Sequence, residues 1–102
     1  MFKDKLIGRV TKVTDGDTFE ISVNQVIRGS GRFFQYSSNE IIRIAGLNAP
    51  ELNTLMGSIA KDNLNKKLNG KSVAVTIEAR DVFGRIVGTV EIRNSSIFST
   101  TL

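Results

Sequence analysis

One change of rhythm, at Pro50, decides most of what this chain can fold into. Up to that residue, apolar and polar side chains alternate, which is the period of a half-buried strand. Beyond it, apolar residues recur at three and four, which is the period of a helix. The stretch Ile41–Leu52 holds the switch. Ile42, Ile44 and Leu47 are predicted to face inward and Arg43 outward. Gly46 and Pro50 stop the strand. Asn48 and Glu51 sit at that stop, so a guanidinium on the strand precedes an amide and a carboxylate at its end.

The same rhythm places the other elements. Leu6–Thr14 and Thr18–Ile27 are β-branched and alternate, and Asp15-Gly16 between them is a strong hairpin signal. The segment 28–39 reads as loop, yet Phe33, Phe34 and Tyr36 lie in it, which predicts a long hairpin tip or a flap. Glu40–Leu47 is the third strand. Leu52, Leu55, Met56, Ile59, Ala60, Leu64 and Leu68 form the stripe of an amphipathic helix. Ser58 is predicted to cap its main segment, Ile59–Leu68, and Asn69-Gly70 to stop it. Ser72–Ala79 and Arg85–Arg93 are two further strands, joined by a turn at Arg80–Gly84. No internal repeat or linker interrupts residues 1–102, which read as one domain. The order β-β-β-α-β-β predicts a mainly β fold with one helix: a five-stranded Greek-key barrel of the OB type, the helix plugging one end. An SH3-like barrel fits less well, because it does not usually place a full helix there.

Composition narrows the chemistry. With 102 residues and 40% hydrophobic content, the chain can build one core. A net charge of +4 favours a polyanionic partner without demanding one. Cysteine and histidine are both absent. That excludes disulfides, thiolate zinc sites, Ser-His triads and imidazole bases, so catalysis must run on carboxylates, Lys or Arg, usually with a metal. No apolar run approaches a membrane span. Asp4 and Arg9 flank only two apolar residues at the start, which is not a secretory signal. The expectation is a chain acting inside the cell, or one whose leader has been replaced by a start Met.

Four charged positions carry the functional argument. Asp17 opens the second strand and is predicted inward by parity with Phe19 and Ile21. A carboxylate there needs a partner: a metal, an arginine or backbone donors. Arg43 and Arg85 each have a plain reading as surface charges, and Glu51 as an acid at a helix start, where it stabilises by roughly 0.3–1 kcal/mol. Together they form a constellation suited to a phosphodiester. Two guanidiniums grip the phosphate through paired hydrogen bonds. Oxygen ligands hold a hard cation such as Ca²⁺. Glu51 orients or deprotonates the attacking water.

Asp15-Gly16-Asp17-Thr18, Arg43 followed by Leu47-Asn48-Ala49-Pro50-Glu51, and Asp81-Val82-Phe83-Gly84-Arg85 resemble, in that order, the three motifs of the staphylococcal nuclease (thermonuclease) family. The resemblance covers about residues 7–92. It implies an OB-fold, calcium-dependent endonuclease acting on DNA and RNA. On that resemblance Asp17 would be a calcium ligand, joined by Asn48 and the Ala49 carbonyl. Arg43 and Arg85 would grip the phosphate, Glu51 would position the water, Asp15 would be an outer acid, and Phe83 would stack on a base. The family usually has Asp at the position of Asn48, Thr at that of Ala49, and often Tyr at that of Phe83. The lost charge at Asn48 predicts weak calcium binding or none. The family also continues into one or two helices where this chain has about ten residues after Arg93. Barrel surface left bare would be covered by Ile97, Phe98 and Leu102, by Phe33, Phe34 and Tyr36, or by a homodimer contact.

Three readings follow. The first is a metal-dependent nuclease, with single-stranded substrate favoured. The second is a nucleic-acid-binding barrel without catalysis, supported by Asn48 and Phe83. The third is a protein-interaction module docking through the aromatic loop.

Overall fold

The computed structural model describes residues 2–30, 34–93 and 99–101, the last three through their backbone alone. Phe33, Ile97, Phe98 and Leu102 lie outside the described residues. The elements run β1 (Lys5–Asp15), β2 (Thr18–Ile27), β3 (Asn39–Ile44), α1 (Leu55–Leu68), β4 (Ser72–Arg80), β5 (Ile86–Arg93) and β6 (Ser99–Thr101). Neighbours in the sheet follow the order β3-β2-β1-β4-β5-β6. A parallel pairing of β3 with β5, with Ile42, Arg43 and Ile44 opposite Ile86, Val87 and Gly88, closes the first five strands into a barrel. The predicted order and barrel are therefore what the chain forms. The short β6 pairs antiparallel with β5 and was not foreseen.

Alternation builds the core. Leu6, Val10, Phe19, Ile21, Ile42, Val73, Val75, Ile86 and Val90 are essentially inaccessible, one per two residues along each strand. Leu64 and Leu68 bring the helix onto them. Side chains of this size contribute roughly 1.5–3 kcal/mol each on full burial. The helix stops at Asn69-Gly70 as expected, Gly70 taking φ 75°.

The helix start differs from the sequence expectation. Thr54, not Ser58, is the cap: its hydroxyl oxygen accepts the Gly57 N–H at 3.0 Å, and the helix begins at Leu55. The predicted stripe is buried only in its second half, at Leu64 and Leu68. Leu52, Leu55, Met56 and Ile59 are exposed, Leu55 by 76%. The first turns project past the barrel rim, so periodicity there does not translate into burial. Leu47 is likewise exposed, because the chain has left β3 before reaching it.

Two buried acids tie down the segment between β2 and β3. Asp4 accepts the Gly29 N–H at 2.6 Å and the Tyr36 hydroxyl at 2.7 Å, with Arg28 at 3.5 Å. Glu40 accepts the Ser37 N–H at 2.7 Å and pairs with Arg80 at 3.0 Å. Phe34 and Tyr36 pack against the core, so this part of the segment is a bound loop and not a free flap.

The Gly29 amide, then the Tyr36 hydroxyl and Arg28, hold the Asp4 carboxyl below its usual range despite burial. Stability from that depressed value is fully present above the unfolded pKa, about 3.9, and is lost as pH falls through the folded value. Asp4→Asn should therefore destabilise the protein by roughly 1–3 kcal/mol at pH 7. Urea midpoints at pH 7 and pH 3 should differ less in the variant than in the wild type. An unchanged pH dependence would contradict the assignment.

Candidate active site

The site begins at the tip of the β1–β2 hairpin. Gly16 lies under both the helix and the Ala49 segment. A Cβ there would fall 2.6 Å from the Ala60 methyl and 2.8 Å from that of Ala49. Only glycine lets these elements close over the tip, which brings the β3 exit onto the two aspartates. Asp17 does not enter the barrel as parity predicted. It precedes the strand pairing and turns to the rim, 13% exposed, where its carboxylate finds donors. Oδ1 accepts the Thr18 hydroxyl at 2.8 Å and Oδ2 the Ala49 N–H at 3.0 Å. Arg43 stands 3.8 Å from Oδ2. The Asp17 backbone is fixed as well: its carbonyl accepts the Ile44 N–H at 2.8 Å, and its N–H donates to Asp15 Oδ1 at 3.1 Å.

Arg43 projects outward from β3 between buried Ile42 and Ile44, opposite Thr18 of β2 and Val87 of β5. Arg85 lies two residues before Val87, so the barrel closure puts both guanidiniums at one edge. Arg85 is held by Asp81, whose Oδ2 accepts Nε at 2.7 Å and whose Oδ1 accepts the Arg85 and Phe83 N–H groups at 2.9 and 3.0 Å. Burial pushes the Asp81 carboxyl up, but these hydrogen bonds and the Arg85 charge outweigh it and leave it lowered. Phe83 is 80% exposed, with the Arg85 guanidinium 5.2 Å from its ring centre.

Asp15, Asp17, Arg43, Ala49, Pro50, Glu51, Leu52 and Arg85 line a single open cleft of about 370 Å³. The Glu51 carboxylate has no partner among the described residues, whereas its carbonyl accepts the Thr54 N–H at 3.0 Å and hydroxyl at 2.6 Å. Asn48 is not in the lining, and its amide oxygen accepts from Arg43 Nη2 at 2.5 Å. Phe83 flanks the cleft through Arg85 and does not line it.

The two aspartates titrate apart. Burial, then the hydrogen bond shared with Asp17, raises the Asp15 carboxyl. Burial also pushes Asp17 up, but the shared bond with Asp15, the Ala49 amide, the Thr18 hydroxyl and Arg43 outweigh it and lower Asp17. Like charges this close are relieved by a proton or by a cation. The donor set is all oxygen, which suits a hard cation. Among the described residues no three acidic side chains are placed to hold one metal ion together, so Glu51 shares the cleft with Asp15 and Asp17 without joining them as a ligand set.

Sequence reasoning missed what frames this cleft. Arg80 donates to Glu40, to the Gly84 carbonyl at 2.7 Å and to the Gln35 carbonyl at 2.9 Å. It thereby ties the turn carrying Phe83 and Arg85 to β3, which carries Arg43. The Arg80–Glu40 pair is separated by 40 residues, and no local pattern announces it.

A family model described as staphylococcal nuclease homologue matches residues 41–102. An uncharacterized endonuclease of Escherichia coli is 34% identical over 84 residues, which is 81% of this chain and 46% of that protein. The similarity to a micrococcal nuclease of Shigella flexneri is 33%, over 81% of this chain and 41% of that protein. The chain spans less than half the length of these curated relatives.

Gly57 gives a test of the local geometry. Any Cβ there would overlap the Glu51 carbonyl oxygen. Gly→Ala inside a helix ordinarily stabilises by about 1 kcal/mol. Gly57→Ala should instead destabilise by roughly 1–3 kcal/mol in urea unfolding. A stabilised variant would show that the Glu51 segment is not packed on the helix.

Proposed function

The chain belongs to the staphylococcal nuclease family, and from that premise we propose that it is a calcium-dependent endonuclease hydrolysing phosphodiester bonds of DNA and RNA, with single strands favoured. The observation that carries this reading is the convergence of Asp17, Arg43, Glu51 and Arg85 on one cleft. Arg43 and Arg85 bind the non-bridging oxygens of the scissile phosphate and stabilise the charge that builds as water attacks phosphorus. Their own anchors, Asn48 and Asp17 for Arg43 and Asp81 for Arg85, orient them beforehand. Glu51, exposed and without a carboxylate partner among the described residues, accepts a proton from the incoming water. One P–O ester bond breaks, and the leaving oxygen takes its proton from solvent, which reaches the open cleft. Exposed Phe83 offers a face on which a base stacks. Asp17, with Asp15 behind it and the Ala49 carbonyl beside it, would hold Ca²⁺, while Asn48 stands outside the cleft lining with its oxygen engaged by Arg43. The cation, when bound, supplies charge neutralisation and orientation of the phosphate.

A second reading has one specific observation behind it. Asn48 brings no charge, and its oxygen is already engaged by Arg43. A barrel that binds nucleic acid without cutting it follows if calcium does not bind.

Cleavage of denatured DNA under Ca²⁺ titration separates the two. The wild type should cut, Arg43→Ala and Glu51→Gln should each lose roughly 10²–10³-fold in rate, and Asn48→Asp should reach its half-maximal rate at lower Ca²⁺. Salt-sensitive binding with no cleavage at any Ca²⁺ concentration would establish the second reading instead.

A further inference from the structure

The net charge of +4 is not spread evenly. Among the described residues each ion pair consumes one cation and one acid: Lys3–Glu78, Arg28–Asp4, Arg43–Asp17, Arg80–Glu40 and Arg85–Asp81. The excess therefore lies among the unpaired cations. Among the described residues Arg9, Lys12, Lys66, Lys67 and Lys71 form no ion pair, and all are exposed. The fold brings Arg9, Lys66, Lys67 and Lys71 together around the helix end. Lys66 and Lys67 occupy the last turn of α1. The chain leaving that turn is stitched to β1, with the Gly70 N–H donating to the Val10 carbonyl at 3.1 Å and the Val10 N–H to the Lys71 carbonyl at 2.8 Å. Arg9 Nη1 donates to the Gly70 carbonyl at 2.6 Å, which puts its charge beside Lys71. Lys12 continues the row along β1 towards the hairpin tip. The acids nearest in register, Glu20 opposite Lys12 and Asp62 one turn before Lys66, pair with none of them.

Two elements lead from the cleft to this face. β1 covers the six residues from Asp15 back to Arg9, about 20 Å at ~3.3 Å per residue. The helix starts beside the cleft, where Leu52 lines the wall, and its 14 residues span about 21 Å. The face thus begins at Lys12, three residues or about 10 Å along β1 from the cleft, and reaches about 20 Å from it at Arg9 and the helix end, a distance that several nucleotides of an extended strand span. A regular array of negative charge is the ligand that complements such a row, and the nucleic-acid strand emerging from the cleft is the nearest one.

We propose that Arg9, Lys12, Lys66, Lys67 and Lys71 form a second, sequence-independent binding surface for the nucleic-acid backbone beyond the cleavage site. This rests on the nuclease reading for the identity of the strand, but the surface itself is separate from the cleft. It makes affinity depend on substrate length. A strand long enough to reach the helix end is held at two places, while a short ester is held at the cleft alone.

The test uses the triple variant Lys66→Gln/Lys67→Gln/Lys71→Gln, which leaves every cleft residue intact. Two substrates are compared: a labelled 20-nucleotide single strand, and a p-nitrophenyl nucleotide phosphodiester too short to leave the cleft. The KM for the long strand should rise about tenfold or more at low salt, with kcat and the rate on the short ester unchanged. Three lost phosphate contacts should make the plot of log affinity against log salt shallower by about two. Equal salt slopes in wild type and variant would overturn the surface while leaving the nuclease reading in place. A wild type that binds the strand with the expected slope difference but never cuts it would sustain the surface and remove the nuclease reading. Failure of the wild type to bind the strand would remove both. Reduced binding to phosphatidylserine vesicles, with strand binding unaltered, would assign the face to membranes and overturn the proposal.

Discussion

Closure of the barrel by the parallel pairing of β3 with β5 is the constraint on which the site depends. The three residue pairs of that contact set Arg43 against Val87. Arg85 lies just before that strand and is turned to the cleft by Asp81, which binds its N–H and its guanidinium. The two guanidiniums are 42 positions apart in the chain, and nothing in the local sequence brings them together. The Arg80–Glu40 pair reinforces the same junction from the other side of the turn. The closed barrel therefore places two cations from distant parts of the chain on one cleft.

The cations at that junction are held by acids that do not neutralise them completely. Arg85 is bound along one edge by Asp81, and Arg43 donates to Asn48 with Asp17 3.8 Å away. Anchoring of this kind removes side-chain freedom in advance, so less is lost when a phosphate arrives. Asp15 and Asp17 present the opposite situation: two acids forced together at a hairpin tip, relieved only by a proton or a cation. The cleft thus combines anchored positive groups with two adjacent carboxylates. The lysines at the helix end and the Arg9 beside them stand apart from both.

Much of this was legible from residue order. Period-two runs mark four of the barrel strands to within a residue at each end and the third with its end three residues too far, Asp15-Gly16 marks the hairpin, and Asn69-Gly70 the end of the helix. Local physics decides those features, so local pattern reveals them. The helix starts at Leu55, four residues before the Ser58-capped segment that the spacing predicts. Thr54 wins the cap through its own hydroxyl and the Glu51 turn beside it. Asp17 was placed inward by parity, but parity holds only within a paired strand, and Asp17 lies just before one. The buried acids Asp4 and Glu40 were invisible for a different reason. Their partners Tyr36 and Arg80 lie 32 and 40 residues away, and an unremarkable Asp or Glu carries no sign of a distant donor.

The central claim, that two arginines from separate elements act on one phosphate, can be measured without catalysis. Arginine side-chain Nε–H signals are followed by NMR as a non-hydrolysable phosphorothioate dinucleotide is titrated in. The account predicts that Arg43 and Arg85 shift together and saturate with a single dissociation constant, and that Arg80 does not follow. Response of only one of the two, or saturation at separate concentrations, would contradict it.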